Sequence, residues 1–195
     1  MSVMDIFTLI ISIIGALAWL PYIISAIINH CAKIDAVLLN YKILRDGISY
    51  TDNRTNIKKG TIILLQLNLF TKGADIFIKD LKIKIIDKNN SEINCDLTDV
   101  SSTYKKGDKG ETYHYVVKDE ENLSQSKTIK SKSDNIKFLS IMVEGFEITD
   151  LEKQIKKIQF IVNNKKKFEI NSEKFPKYGQ SKKFDSIEKL YTGKL

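Results

Sequence analysis

Few residues in this 195-residue chain have the type and spacing that could carry out chemistry. Its two histidines are His30 and His114, and its two cysteines are Cys31 and Cys95. No C-x-x-C or H-x-x-x-H spacing joins them, so the sequence offers no ready metal-ligand set. Cys31 follows His30 directly, yet adjacency in sequence does not place an imidazole as base toward a thiol; the two must lie within hydrogen-bond reach. The stretch 107–110, Gly-Asp-Lys-Gly, lacks the preceding strand and following helix that make a glycine-rich loop a phosphate cradle. Asp119, Glu120 and Glu121 form an acidic run in a polar stretch, the pattern of a solvated loop. The sequence points away from an enzyme, and no cofactor or metal is expected.

Binding chemistry is better represented. Residues 1–30 contain no Lys or Arg and one acid, Asp5, so the rest of the chain holds 31 bases and 23 acids, a net charge of 31 − 23 = +8. Such a charge attracts anionic lipid, nucleotides or nucleic acid. Lys165, Lys166 and Lys167 form the tightest cluster, with Lys156, Lys157, Lys182 and Lys183 nearby in sequence and Phe168, Phe175 and Phe184 interleaved. These three lysines are the candidate anion-binding residues, for lipid headgroups, a nucleotide or an oligonucleotide. Only Arg45 and Arg54 are arginines. The planar guanidinium fork favoured in specific phosphate and base recognition is therefore nearly absent, and a merely solvated Lys-rich surface is the competing reading.

The elements that must position these residues begin with an uncharged head. Residues 6–28 are 23 positions without a charge; as a helix they reach about 34 Å, enough for a hydrocarbon core of about 30 Å. A cleaved signal peptide would open on Lys or Arg, carry a shorter apolar run and end in small residues. This segment opens Met-Ser-Val-Met-Asp and ends Ile-Ile-Asn-His-Cys. A retained transmembrane helix over 6–29 is expected. The flanking cations Lys33, Lys42 and Arg45 all follow it, which places residues 1–5 outside and the body in the cytoplasm of a cell bounded by an inner membrane. Two cysteines far apart agree with a reducing compartment.

Within that helix Thr8, Ser12, Gly15, Trp19, Tyr22 and Ala26 recur at alternating spacings of four and three. At about 100° per residue they fall within an arc of roughly 80°. The opposite face is Ile10, Ile13, Ile14, Leu17, Leu20, Ile24, Ile27 and Ile28, with Pro21 tolerated as membrane helices tolerate it. Lipid tails give no reason to sort small and hydroxylated residues to one side, whereas close helix packing does. A homo-oligomer through this seam is expected. The seam then either forms a contact between helices or faces a central axis, where Thr8 and Ser12 line a pore and Trp19 and Tyr22 constrict it.

The body alternates with period two. Residues 37–44 and 63–70 read as strands, Thr71-Lys72-Gly73 as a turn, and residues 76–85 as two short strands separated by a phase slip at Lys79-Asp80. Asp87-Lys88-Asn89-Asn90 is a further turn. Ile93, Cys95 and Leu97 read as one strand, and Tyr113, Tyr115 and Val117 as another. Residues 136–143 are a strand; Ile158, Phe160 and Val162 pair with Phe168 and Ile170 across Asn163-Asn164-Lys165, with a short helix near 150–156. Residues 101–110 and 118–134 read as polar loops.

The run Leu65-Gln66-Leu67-Asn68-Leu69-Phe70-Thr71-Lys72-Gly73, followed by Ile76-Phe77-Ile78-Lys79-Asp80-Leu81-Lys82-Ile83, resembles the Leu-x-Asn, Gly, Ile-x-Ile strand pair of immunoglobulin-like domains in bacterial membrane-anchored proteins. It lacks the Cys-Trp-Cys core of antibody domains. The expected fold class is all-β, an antiparallel immunoglobulin-like β-sandwich over 30–171 preceded by one N-terminal transmembrane helix and followed by a polar, basic extension over 172–195. In architecture the chain is similar to single-span membrane effectors of bacterial anti-phage defence systems. That similarity implies an oligomeric effector whose helices form a pore or disrupt the bilayer under control of a cytoplasmic sensing domain. The alternative is a non-conducting tethered scaffold that binds a protein or ligand.

Overall fold

The computed structural model describes residues 3–50, 57–100, 103–106, 112–114, 117–125 and 127–176. A single helix, α1, runs from Val3 to Cys31 with Pro21 inside it. After Ala32 the chain passes directly into β1 (Lys33–Tyr50), which forms a long hairpin with β2 (Ile57–Lys72). The order continues with β3 (Ile76–Phe77), β4 (Leu81–Asp87), β5 (Glu92–Ile93), β6 (Cys95–Thr98), β7 (Thr103–Lys106), β8 (Thr112–His114), β9 (Thr128–Ile129) and β10 (Asn135–Val143). A one-turn helix α2 (Leu151–Gln154), β11 (Ile155–Val162) and β12 (Lys166–Asn171) complete it, with a 3-10 turn at Ser172–Lys174.

The strands pair antiparallel in a six-stranded sheet of order β6-β10-β2-β1-β7-β8, a four-stranded sheet of order β12-β11-β4-β5, and the small pair β3-β9. One hydrophobic cluster draws on both larger sheets. Ile63, Leu65, Leu67 and Leu69 of β2 and Leu139 and Ile141 of β10 share it with Ile85 of β4, Ile158 and Phe160 of β11 and Phe168 and Ile170 of β12. Phe160 stacks on Phe168 with ring centroids 4.6 Å apart, where the hairpin register sets them opposite one another. A second cluster, Leu44, Ile62, Leu64, Phe138 and Met142 with Val100 and Val117, covers the other face of the six-stranded sheet. Strand β2 is thus buried on both faces, which explains its unbroken apolar run Ile62-Ile63-Leu64-Leu65.

Several expectations hold in coarse form and change in detail. The first strand begins earlier than expected, at Lys33, with Ile34, Ala36 and Leu38 buried and Val37 and Leu39 exposed. A bulge between Leu38 and Asn40 then turns Tyr41 into the core, because one inserted residue reverses the facing of all that follow. Ile93, Cys95 and Leu97 do not form one strand. Ile93 pairs with Ile85 in the four-stranded sheet, while Cys95–Thr98 pairs with β10 in the other, so the chain changes sheets at Asn94. The stretches read as loops contain β7, which adds to β1, and β9, which pairs with β3. Phe175, placed by sequence in the polar extension, is buried with its ring 6.5 Å from that of Tyr41. The remainder of the expected extension, from 177 on, lies outside the described residues.

The described side chains of α1 stand exposed, Trp19 and Tyr22 among the most open at 68% and 72%. Among the described residues no helix is long and apolar enough to cross a membrane. The span expected over 6–29 is accordingly carried by the sequence pattern.

Candidate functional site

The site with the most structural definition is the joint where α1 enters the β layers. Ala32, the only residue between helix and strand, is buried at 3% exposure. Its carbonyl accepts a hydrogen bond from Lys166 Nζ at the start of β12. A cation beside a helix C-terminus is also favoured by the helix dipole. Beneath the joint lies Gly73, whose φ of +103° suits only glycine, and where an added Cβ would stand in van der Waals contact with Ala32 and the Ile28 carbonyl at 3.5 and 3.6 Å. The β2–β3 turn therefore seats the last turn of the helix. No flexible linker separates helix and β domain.

Strand order leaves the first half of β1 and the whole of β12 as neighbouring sheet edges, since β7 pairs with β1 only at Gly47–Ser49. Between these edges lies an open groove of about 540 Å3 lined by Lys33, Lys72, Lys167, Asp35, Phe70 and Phe168, with Ile34, Val37 and Glu169. Lys33 and Lys72 are direct cross-strand partners. Like charges in that position repel, so they are a local cost that an anion would relieve. The acids of the groove are partly engaged: Glu169 pairs with Lys157 at 2.7 Å, and Asp35 Oδ1 accepts from the Ala36 N–H at 2.8 Å.

Of the three lysines singled out by sequence, Lys166 is turned to the helix joint, Lys167 enters the groove, and Lys165 lies exposed in the β11–β12 turn. They do not form one cluster, because successive strand residues face opposite ways. The sequence reading missed Lys72 as a partner for Lys167, and used Lys33 only as a topology signal. Counting the hairpin register outward from the β1–β2 turn would not have paired them, because two bulges intervene.

Of the seam, Ser12, Gly15, Trp19, Tyr22 and Ala26 are exposed, and a side chain added at Gly15 would meet nothing within 4 Å. The side chain of Thr8 lies outside the described residues, as do those of His30 and His114. Trp19 and Tyr22, three residues apart, hold their rings 6.1 Å apart in a tilted contact.

Elsewhere the chemistry is sparse. Burial raises the Cys95 thiol to about 11, with Asp96 and Glu92 adding to the shift against a backbone hydrogen bond; a thiol at that value is protonated and unreactive at neutral pH. No group of three or more potential metal ligands occurs among the described residues. An open depression of about 640 Å3 at the other end of the domain is lined by Arg45, Gly60, Thr61, Val143, Gly145, Phe146 and Glu147. Its one charged pair, Arg45 and Glu147, is loose at 3.9 Å and solvent-exposed. No protein-family model, curated protein or solved structure matches the chain.

Proposed function

We propose that this chain is a single-span membrane effector: α1 crosses the bilayer, its copies assemble along the Thr8-to-Ala26 seam, and the β domain, an immunoglobulin-like sandwich on the cytoplasmic side, controls the assembly. The carrying observation is the one-residue joint, in which buried Ala32 is held by Lys166 and seated on the Gly73 turn. A tether that only retains a domain at the membrane works with a flexible linker. A stiff joint passes rotation or displacement of the domain into the helix, which is what control of a helix bundle requires. The uncharged run 6–28, inside one continuous helix with open apolar side chains, supports the bilayer as its surroundings. The shared core of the two antiparallel layers supports the sandwich.

In this reading the helix bundle conducts or perturbs the membrane, with the Trp19 rings closing it by dewetting at mid-span. An anion bound in the Lys33, Lys72 and Lys167 groove shifts the balance of states only insofar as it binds one of them more tightly. The test is planar-bilayer recording of purified full-length protein. Trp19→Ala should raise leak conductance, and Trp19→Phe should preserve gating. If wild type and Trp19→Ala both fail to conduct while the oligomer is intact, a non-conducting scaffold replaces this reading. Activity of a C-terminal alkaline phosphatase fusion would reject the cytoplasmic placement. Anti-phage defence is the setting the architecture suggests; collapse of membrane potential on infection of cells carrying the gene tests it.

A further inference from the structure

The turns that surround the helix exit are knitted into one platform. Asn163, in the β11–β12 turn, donates from Nδ2 to the Phe77 carbonyl at 2.8 Å, and its Oδ1 accepts from the backbone N–H groups of Lys79 and Asp80 at 2.7 and 3.1 Å. Its own N–H donates to the Asp80 carbonyl at 2.8 Å. Asp75 Oδ1 accepts from the Ser131 N–H at 2.7 Å, joining the segment after Gly73 to the one after β9. Asn68 donates from Nδ2 to Asp134 at 3.2 Å, and Asn135 Nδ2 reaches the carbonyls of Leu69, Lys130 and Ser133. Through Gly73 and Lys166 the platform meets the end of α1.

Its charge is concentrated. Segments 72–80, 130–134 and 163–167 hold seven lysines and three aspartates, a net 7 − 3 = +4, half of the +8 carried by residues 31–195. Two of the aspartates, Asp75 and Asp134, are engaged in holding the turns together, while Lys72, Lys79, Lys130, Lys132, Lys165 and Lys167 are exposed. Within the first of these segments Phe77, whose carbonyl is bonded by Asn163 of the third, stands 60% exposed on the two-residue strand β3, whose other member, Ile76, is buried. An exposed aromatic side chain on a set of joined, lysine-rich turns is the composition of a surface that rests on a bilayer, with cations at headgroup level and an aromatic group at the boundary.

We infer that this platform docks on the anionic headgroups of the bilayer that α1 crosses, with Phe77 entering the interface. The inference rests on the membrane-spanning reading of α1; charge complementarity and continuity with the helix exit select lipid over a free polyanion. Docking on both helix and platform fixes the tilt of the β domain, and loss of anionic lipid frees it.

The test uses full-length protein reconstituted in vesicles containing phosphatidylcholine brominated high on its acyl chains, with or without phosphatidylglycerol. In the wild-type chain Trp19 is the only tryptophan, and its quenching reports the span alone. In a Trp19→Phe, Phe77→Trp variant the new tryptophan reports the platform. With phosphatidylglycerol present, its emission should be quenched about twofold more than without it, and about 1 M salt should remove the difference. Adding Lys79→Glu, Lys132→Glu and Lys165→Glu should abolish it while leaving Trp19 quenching, measured in the chain that keeps Trp19, unchanged. If Trp19 is quenched and the residue-77 tryptophan is not, the docking inference fails and the span stands. If Trp19 is not quenched, the spanning reading fails. Lipid-independent binding of a single-stranded oligonucleotide that is lost with the three charge reversals would overturn the inference in favour of a nucleic-acid surface.

Discussion

Lys166 donates from Nζ to the carbonyl of Ala32, 134 residues earlier in the chain and one residue beyond the helix. A single hydrogen bond thereby ties the last hairpin of the β domain to the exit of α1. Replacing Lys166 by Met keeps the aliphatic stem and removes the donor. We expect a loss of about 1.5–3 kcal/mol in stability, the range for a hydrogen bond to a charged group. In the effector reading, Lys166→Met also uncouples the domain from the helices. Denaturant unfolding of the reconstituted chain, beside its conductance, measures both; unchanged conductance with lowered stability would confine Lys166 to a structural role.

Assembly through the seam makes a face-specific prediction. Gly15→Ile and Ser12→Leu put bulk where helices must approach closely, and should lower the oligomer order seen by crosslinking in membranes. Leu17→Ile on the opposite face should leave it unchanged. Equal effects from both faces would mean that the spacing of Thr8 to Ala26 does not direct assembly.

Gly60, on β2, lies close against the end of β10. A Cβ there would stand 2.5 Å from the Val143 carbonyl oxygen and 3.0 Å from Met142 Sδ. The obstacle is backbone, so it cannot swing aside, and Gly60→Ala should cost about 1–3 kcal/mol as overpacking. Thermal unfolding against wild type checks this; an unchanged midpoint would show that the two strands are not held at that distance.

Asp150 caps α2, accepting from the Lys153 N–H at 3.1 Å. Burial pushes its pKa up, but backbone and side-chain hydrogen bonds and the charge of Lys153 outweigh this, and the carboxyl titrates below its ordinary value. A carboxyl whose folded pKa is lowered contributes stability above its unfolded pKa, and that contribution is lost as pH falls through the folded one. Asp150→Ala should therefore cost about 1 kcal/mol at neutral pH. The difference from wild type should shrink as pH falls below the ordinary carboxylate value of about 4. Denaturation series across that range decide it; a difference that grows on acidification would contradict the sign.

Much of this architecture is local and was legible without coordinates. The uncharged run 6–28, the period-two strands, the Asn163-Asn164 turn with both residues at φ near +55°, and the capped helix after Asp150 depend on neighbours a few residues apart. Each residue's intrinsic preference and the hydrophobic period are sufficient there. Turn chemistry likewise located Gly73 and Asn90, whose positive φ values sit where the sequence placed turns.

Tertiary structure alone decided which edges meet. A β strand has no sequence record of its partner, because backbone hydrogen bonds are the same for every neighbour and only the summed burial of distant side chains selects one. That is why Ile93 and Cys95, two residues apart, join different sheets, and why the Leu38–Asn40 bulge turned Tyr41 inward toward Phe175. The clasp of Asn163 on Lys79 spans 84 residues, and the opposition of Lys33 to Lys72 follows from a register that two bulges shift. The three consecutive lysines looked like one site in the sequence. Folding assigned Lys165 to a turn, Lys166 to the helix joint and Lys167 to a groove, because adjacent residues on a strand face opposite sides and the hairpin end brings each to a different neighbour.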